Sequence, residues 1–405
     1  MNRQPFDKPP RRWPPKLSPW WIRLWRTIRK RQQLKVQRLV EVEVRGGERV
    51  REAVAANQGV LITPNHSSHA DCFVTYAASD AVGLPFYIMV AWQVFQRAGW
   101  LRRLALRHHG CFSIDREGTD MQAFRQAVEV LGARRNPLVV FPEGEVYHVN
   151  ERITPFREGP AAMAILAARK GDRPVVCIPA AIRYYYLDDP AQELLRLMDD
   201  LERAILWRPR PDLTLPERIY HFAEGALALK EIEFLGRPSP GPVRQRVADL
   251  IHFILDHLEA RHRLEGSRAT VPERVKTLRQ HLIKRLQELP ENDPARQPCE
   301  EDLEDLFLVV QLYSYPGDYV AERPTVERIA ETLDKFEEDV LRVKTATIRG
   351  SRRATVTFGD PIRVAADRGK DAAAGLTRML EERVQALLDE GEAAVSRTQS
   401  RAAAG

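Results

Sequence analysis

His66 and Asp71 stand five residues apart in Asn65-His66-Ser67-Ser68-His69-Ala70-Asp71. A base and the acid that orients it are what proton abstraction from a weak nucleophile such as a hydroxyl needs. On a regular helix five residues turn through roughly 500°, which leaves the two side chains about 140° apart. They can therefore meet only if His66 lies in a turn ahead of a helix and Asp71 in its first turns. The apolar run Gly59-Val60-Leu61-Ile62-Thr63 just before reads as a buried strand, and Ser67 and Ser68 are good N-cap residues. Strand, turn, helix is the expectation, with the imidazole at the mouth of a sheet.

Three further sets of residues fall at the ends of apolar runs. Gly110-Cys111-Phe112-Ser113-Ile114-Asp115-Arg116 places an arginine after one strand. Val139-Val140-Phe141-Pro142-Glu143-Gly144 closes another with a carboxylate and a glycine, and Phe156-Arg157-Glu158-Gly159-Pro160 opens the next helix. Val175–Ile178 leads into Pro179-Ala180-Ala181-Ile182. In an open α/β sheet, ligands bind outside the carboxyl ends of the strands. His66, Arg116, Glu143 and Gly144 would share that edge. Arginine suits a phosphate there, and glycine lets a backbone N–H approach an oxyanion.

Strands and helices alternate through the first 190 residues, which implies a largely parallel sheet covered on both faces. Val36–Val44 reads as a strand, Trp92–Leu106 as one helix and Pro137–Phe141 as a buried strand. After Pro190 the periodicity is helical and punctuated by prolines, until Ala354–Phe358 returns to strand and Ala372–Leu388 to an amphipathic helix. The expected organisation is residues 1–35 as a basic, tryptophan-rich interfacial segment, 36–190 as an α/β core and 191–350 as a helical insertion. Residues 351–394 would be the closing strand and helix of the core, and 395–405 a disordered tail. No internal repeat stands out.

Twelve Lys or Arg against one acid fall in residues 1–40, although the whole chain carries only +6. Four of the seven tryptophans lie there too. Ser18-Pro19 makes a cap and first helical position, and Trp21, Leu24, Trp25 and Ile28 follow at helical spacing. Tryptophan on one side with basic residues on the other is the composition of a helix lying in a lipid interface, and a nucleic-acid partner is not expected. No stretch approaches the roughly 18 apolar residues of a spanning helix, and no secretory apolar segment opens the chain. Cys72, Cys111, Cys177 and Cys299 show neither metal spacing nor a disulfide framework. A cytoplasmic protein, peripheral on the inner face of the membrane, is the expectation.

Together the four sets resemble the glycerolipid acyltransferase family, which includes glycerol-3-phosphate and 1-acylglycerol-3-phosphate acyltransferases. His66 and Asp71 match its HxxxxD motif. Gly110–Arg116 resembles its second block, Phe141–Gly144 its third and Ile178–Ala180 its fourth, and Phe358-Gly359-Asp360-Pro361-Ile362 looks like its closing segment. The resemblance implies an α/β fold and an O-acyltransferase that moves a fatty acyl group from acyl-CoA or acyl-carrier protein to a hydroxyl. The implied acceptor is a lysophospholipid or glycerol phosphate, foremost 1-acylglycerol-3-phosphate, in phospholipid synthesis. It implies His66 as general base and Asp71 as its orienting acid. Asn65, Arg116, Glu143, Gly144 and Arg157 would bind substrate. No metal or other cofactor is implied.

The chain departs from the family pattern at three positions. Glu145 and Val146 stand where threonine and arginine are common, and Ser113 where an aromatic is usual. An acid beside a phosphate site repels a dianion, so Arg152 or Arg157 would have to compensate, or the acceptor is another polar lysolipid. Two alternatives come from other classes. His66-x-x-His69-x-Asp71 can be read as metal ligands of a hydrolase, with His108, His109 and His148 further along. The chain could also be a catalytically silent lipid-binding homologue.

Overall fold

The structure, a computed structural model, describes residues 11–116, 120–264, 270–366, 369 and 371–403. The described residues divide into two compact units: residues 11–189 with those from Gly350 onward form one, and Pro190–Arg349 form the other.

The first unit begins with α1 (Pro19–Leu24), α2 (Arg26–Gln37), β1 (Leu39–Arg45) and α3 (Gly47–Ala55). There follow β2 (Gly59–Pro64), α4 (Asp71–Val82), β3 (Tyr87–Ala91), α5 (Trp92–Arg97), α6 (Trp100–His108) and β4 (Cys111–Ile114). Then come α7 (Met121–Ala133), β5 (Leu138–Val139), α8 (Gly159–Lys170) and β6 (Val175–Tyr186). The second unit holds α9 (Ala191–Leu206), α10 (Leu215–Leu235), α11 (Val243–His262), α12 (Val271–Glu288), α13 (Arg296–Tyr313), α14 (Tyr319–Glu322) and α15 (Val326–Asp339). The chain returns to the first unit with β7 (Arg352–Phe358), β8 (Ile362–Arg363) and α16 (Ala372–Ala403).

The eight strands make one sheet in the order β1-β7-β6-β2-β5-β3-β4, with β8 beside β6. From β6 to β4 every pair along that order is parallel, while β7 and β8 run antiparallel to β6. This is an α/β fold with a mostly parallel sheet. Both faces are covered, which is why β2 reads as a continuous apolar run. Val60 and Ile62 face a core with Val74, Ala78 and Val82 of α4. Leu61 faces the opposite core with Ala127 and Leu131 of α7, Ala164 of α8 and Leu380 of α16.

One strand is much longer than its neighbour. β6 has twelve residues against six in β2, and only Val175–Ala180 pair with Gly59–Pro64. Its outer half, through Tyr186, runs past the carboxyl end of β2, held on the other side by β7. That overhang becomes a wall of the site.

Several elements differ from the expectation. The region expected as a strand from Val36 is still helix to Gln37. It ends where Arg38 adopts a left-handed backbone (φ 44) and returns its N–H to the Gln33 carbonyl. The single helix expected over 92–106 is two, broken at Ala98 and Gly99. Of Pro137–Phe141 only Leu138–Val139 is paired as strand. The tail expected to be disordered continues α16 as far as Ala403, consistent with the helix-favouring alanines, arginines and glutamine there.

At the N-terminus Ser18 caps α1 as expected, its Oγ accepting the Trp21 N–H at 3.4 Å. The apolar stripe is divided, however. Trp21 and Trp25 are half-buried and stack on each other at 5.0 Å, with Trp21 against His108. Trp20, Leu24 and Ile28 are the residues left exposed. The buried Arg29 fastens α2 to α4 through both oxygens of Asp80, at 2.8 and 2.9 Å. Among the described residues no helix is long and apolar enough to cross a membrane.

The helical unit contains a duplicated device, contrary to the expectation that nothing repeats. Asp199-x-x-Glu202 followed by Thr214-Leu215-Pro216-Glu217-Arg218 recurs as Asp256-x-x-Glu259 followed by Thr270-Val271-Pro272-Glu273-Arg274. In each copy the threonine and glutamate form a capping box, with proline in the first turn. The arginine then reaches back to the preceding helix. Arg218 donates to Glu202 at 3.1 and 2.5 Å and to Asp199 at 2.6 Å. Arg274 donates to Glu259 at 2.8 and 2.7 Å and to Asp256 at 2.6 Å. Between the copies Arg246 grips Glu231 in the same two-pronged way. A hydrophobicity scan misses this, because the repeated residues are charged.

Removing one member of such a buried pair leaves the other unpaired. Arg274→Ala should lower stability by about 3 kcal/mol, read as a clear fall in the thermal unfolding midpoint. A midpoint within a degree of the parent's would contradict it.

Candidate active site

The turn between β2 and α4 carries the candidate base. Pro64 ends the strand and Asp71 is the first residue of α4, so His66 and Asp71 sit on opposite sides of one tight turn. His66 Nδ1 lies 2.7 Å from Asp71 Oδ2. Because the carboxylate can only accept, Nδ1 carries a proton, and in the neutral ring Nε2 keeps its lone pair. The imidazole is about a quarter exposed, at 23%, and stacks on Phe141 at 4.2 Å.

Asp71 is fully buried and three donors surround it. Besides His66, the Ser68 N–H donates to Oδ2 at 3.1 Å and the Tyr184 hydroxyl to Oδ1 at 2.5 Å. Ser67 and Ser68 are therefore not the cap of α4: Ala70 holds that position, and Ser68 points its N–H at the acid. Burial, then the adjacent Asp71 charge, raise the Tyr184 hydroxyl well above its ordinary pKa, so it stays a donor. Tyr184 belongs to the overhang of β6. Two asparagines stitch that overhang to the loops: Asn65 exchanges bonds with Ile182 at 3.0 and 2.7 Å, and Asn150 with Tyr184 at 2.8 Å each way.

These contacts sort the candidate residues. Asn65 was expected to bind substrate; instead it is fully buried and both ends of its amide are engaged by the Ile182 backbone. Glu143 comes close to His66 but holds its backbone: Oε1 accepts the His66 N–H at 2.7 Å, and Oε2 accepts the Thr154 N–H and hydroxyl. Burial drives its carboxyl up to about 7, against those hydrogen bonds. Gly144 has φ 80 and donates its N–H to the Phe141 carbonyl at 3.2 Å, so that amide does not serve an oxyanion. Its missing Cβ makes room for Arg157, whose Nε would lie 2.6 Å from one. Arg116 reaches the same glycine and donates to its carbonyl, while Glu145 pairs with Arg116 at 2.9 Å.

Ser113, the departure in the second block, has a visible role. Its N–H donates to the Trp13 carbonyl at 3.0 Å and its Oγ accepts the Trp13 N–H at 2.8 Å. Trp13 is thereby buried and stacks on Phe95 at 5.4 Å. Cys111, Cys177 and Cys299 are buried and Cys72 is exposed.

Of the histidines that could be read as metal ligands, His69 packs edge-on against His148 at 5.4 Å rather than beside His66. The ligand atoms of His66, His69 and Asp71 do not gather about one point among the described residues. His66 Nδ1 is turned to Asp71, whose other oxygen is held by Tyr184. His109 is a structural residue: it bonds the Ala105 carbonyl and Arg29, and burial lowers it to about 4. His108 lies against Trp21.

A family model described as Acyltransferase matches residues 41–183, from within β1 to the outer half of β6. That stretch is an acyltransferase domain, and it belongs to the glycerolipid acyltransferase family. Every residue of the His66 arrangement except Tyr184 falls inside the match, and Tyr184 is the next residue after it. No curated protein matches the chain.

In the sequence Tyr184 is one of three consecutive tyrosines, Tyr184-Tyr185-Tyr186. Only the length of that strand beyond β2 distinguishes it. Tyr184→Phe should reduce kcat about tenfold, with KM and the unfolding midpoint little changed. Unaltered kcat would contradict its role in fixing Asp71.

Glu143 gives a pH signature. A carboxyl raised on folding stabilises the folded state fully below its unfolded pKa of 4.5, and that contribution is lost as pH rises through about 7. Glu143→Gln should therefore flatten the fall in stability between those limits, by up to about 3 kcal/mol. Parallel stability–pH curves for the two proteins would show that Glu143 does not titrate there.

Proposed function

We propose that the protein transfers a fatty acyl group from acyl-CoA or acyl-carrier protein to a hydroxyl of a lysophospholipid or glycerol phosphate. The resemblance puts 1-acylglycerol-3-phosphate first among acceptors, in the assembly of phospholipid. The observation that carries the reading is the His66–Asp71 contact at 2.7 Å inside a domain of this family.

In this reading the acceptor hydroxyl attacks the thioester carbonyl while His66 Nε2 takes its proton. Asp71 holds the Nδ1–H tautomer and stabilises the imidazolium that forms. Collapse of the tetrahedral intermediate breaks the C–S bond, and the imidazolium returns its proton to the leaving thiolate. The products are the ester and a free thiol, and the histidine ends as it began. The thioester is already activated, so no metal or redox cofactor enters the scheme. Arg116 and Arg157, both at Gly144, are the cations for the acceptor's phosphate.

Membrane association through the N-terminus is part of the proposal. Trp20 and Leu24 are 69% and 58% exposed, and Arg23, Arg26, Lys30 and Arg31 flank them. Exposed apolar side chains ringed by basic ones suit an anionic lipid surface on the cytoplasmic side.

His66→Ala should abolish transfer, by about 10³-fold or more, with the fold intact by circular dichroism; a folded variant of near-parent activity would overturn the assignment. Trp20→Glu with Leu24→Glu should weaken co-sedimentation with anionic vesicles while leaving turnover of detergent-dispersed acceptor within about twofold. Undiminished co-sedimentation would remove the helix from the membrane role.

A further inference from the structure

We propose that Glu145 sets the acceptor preference of this site by giving Arg116 a resident counter-charge. The favoured lysolipid is then one whose phosphate arrives with its own cation, a zwitterionic phosphodiester, over a phosphomonoester. The inference rests on the acyltransferase reading above and concerns which member of that acceptor class is taken.

Gly144, with its left-handed backbone, separates two acids of different duty. Glu143 on one side holds the His66 backbone. Glu145 on the other lies 2.9 Å from Arg116 Nη1, which also donates to the Gly144 carbonyl. The Arg116 and Glu145 side chains are only 14% and 18% exposed, so water screens their pairing weakly. Arg157 lies over the same glycine. Among the described residues these contacts bring two guanidiniums and the Glu145 carboxylate to one glycine, an arrangement with a positive and a negative pole.

A phosphomonoester carries close to two negative charges at neutral pH. Brought to Arg116, it must displace Glu145 or lie against it, and either is unfavourable. A phosphodiester carries one negative charge. If its head also bears an ammonium, the phosphate meets the arginine while the ammonium meets Glu145, and neither pole is left uncompensated.

The test uses the purified full chain with acyl-CoA and with acyl-carrier protein as donors. The detergent-dispersed acceptors are 1-acylglycerol-3-phosphate and 1-acylglycerol-3-phosphoethanolamine. The native protein should show the higher kcat/KM on the ethanolamine lipid. In Glu145→Gln the ratio of the two should fall about tenfold, intermediate between a screened and a buried charge contact. The change should come from a lower KM for the phosphomonoester, with kcat within about twofold. Glu145→Asp, which keeps the charge, should stay near the native ratio. A ratio unmoved by Glu145→Gln, or a native protein that already prefers the phosphomonoester, overturns the inference while leaving acyl transfer standing. Absence of transfer to both acceptors from both donors overturns the functional reading itself, and this inference with it.

Discussion

A carboxylate with no exposed surface has to be given donors by the protein, since water cannot supply them. Asp71 is such a group, and much of the α/β unit can be understood as the means of satisfying it. One donor comes from the turn that precedes its helix, through Ser68 N–H. A second comes across the sheet, through Tyr184 on the part of β6 that outruns β2. The third is the His66 imidazole. With two donors fixed by backbone and strand, the third has one orientation open to it, and the histidine is left with Nε2 outward.

The same economy of donors explains the surrounding shell. Glu143 fixes the His66 main chain rather than its ring, and Phe141 packs against the ring face. Asn65 and Asn150 close the gap between the loops and β6 where no strand is available to pair with it. None of these residues needs to touch a substrate to matter. In the proposed reaction they would hold the imidazole within the narrow range of positions that proton transfer requires. Beyond this shell the polarity changes character: around Gly144, Arg116 and Glu145 are charged, largely buried and arranged about a glycine, where the proposed headgroup would be received.

Much of this was legible in the residues. The five-residue spacing of His66 and Asp71 required a turn followed by a helix, and the apolar runs required a sheet buried on both faces. What could not be read was any contact between residues far apart in the chain. Asn65 looks like a substrate residue because of its neighbours, yet its partner is Ile182. Tyr184 looks like one tyrosine in a run, because strand overhang depends on the length of β2 as well as β6. Trp21 and Trp25 have the spacing of a lipid-facing stripe, but His108 and the body of the unit take that side, and Trp20 is turned outward. The paired Asp-x-x-Glu and Thr-x-Pro-Glu-Arg segments were overlooked for a different reason. Their repeat lies in helix caps and ion-paired charges, which patterns of hydrophobicity do not register.

The central claim is that Asp71 holds the neutral imidazole with its proton on Nδ1, leaving Nε2 to accept. Nitrogen-15 NMR of the histidine-labelled protein reads that tautomer directly. The account predicts a protonated Nδ1 and an unprotonated Nε2 for His66, with the preference lost in Asp71→Asn. A His66 signal with the proton on Nε2, or one indifferent to the loss of Asp71, would contradict it.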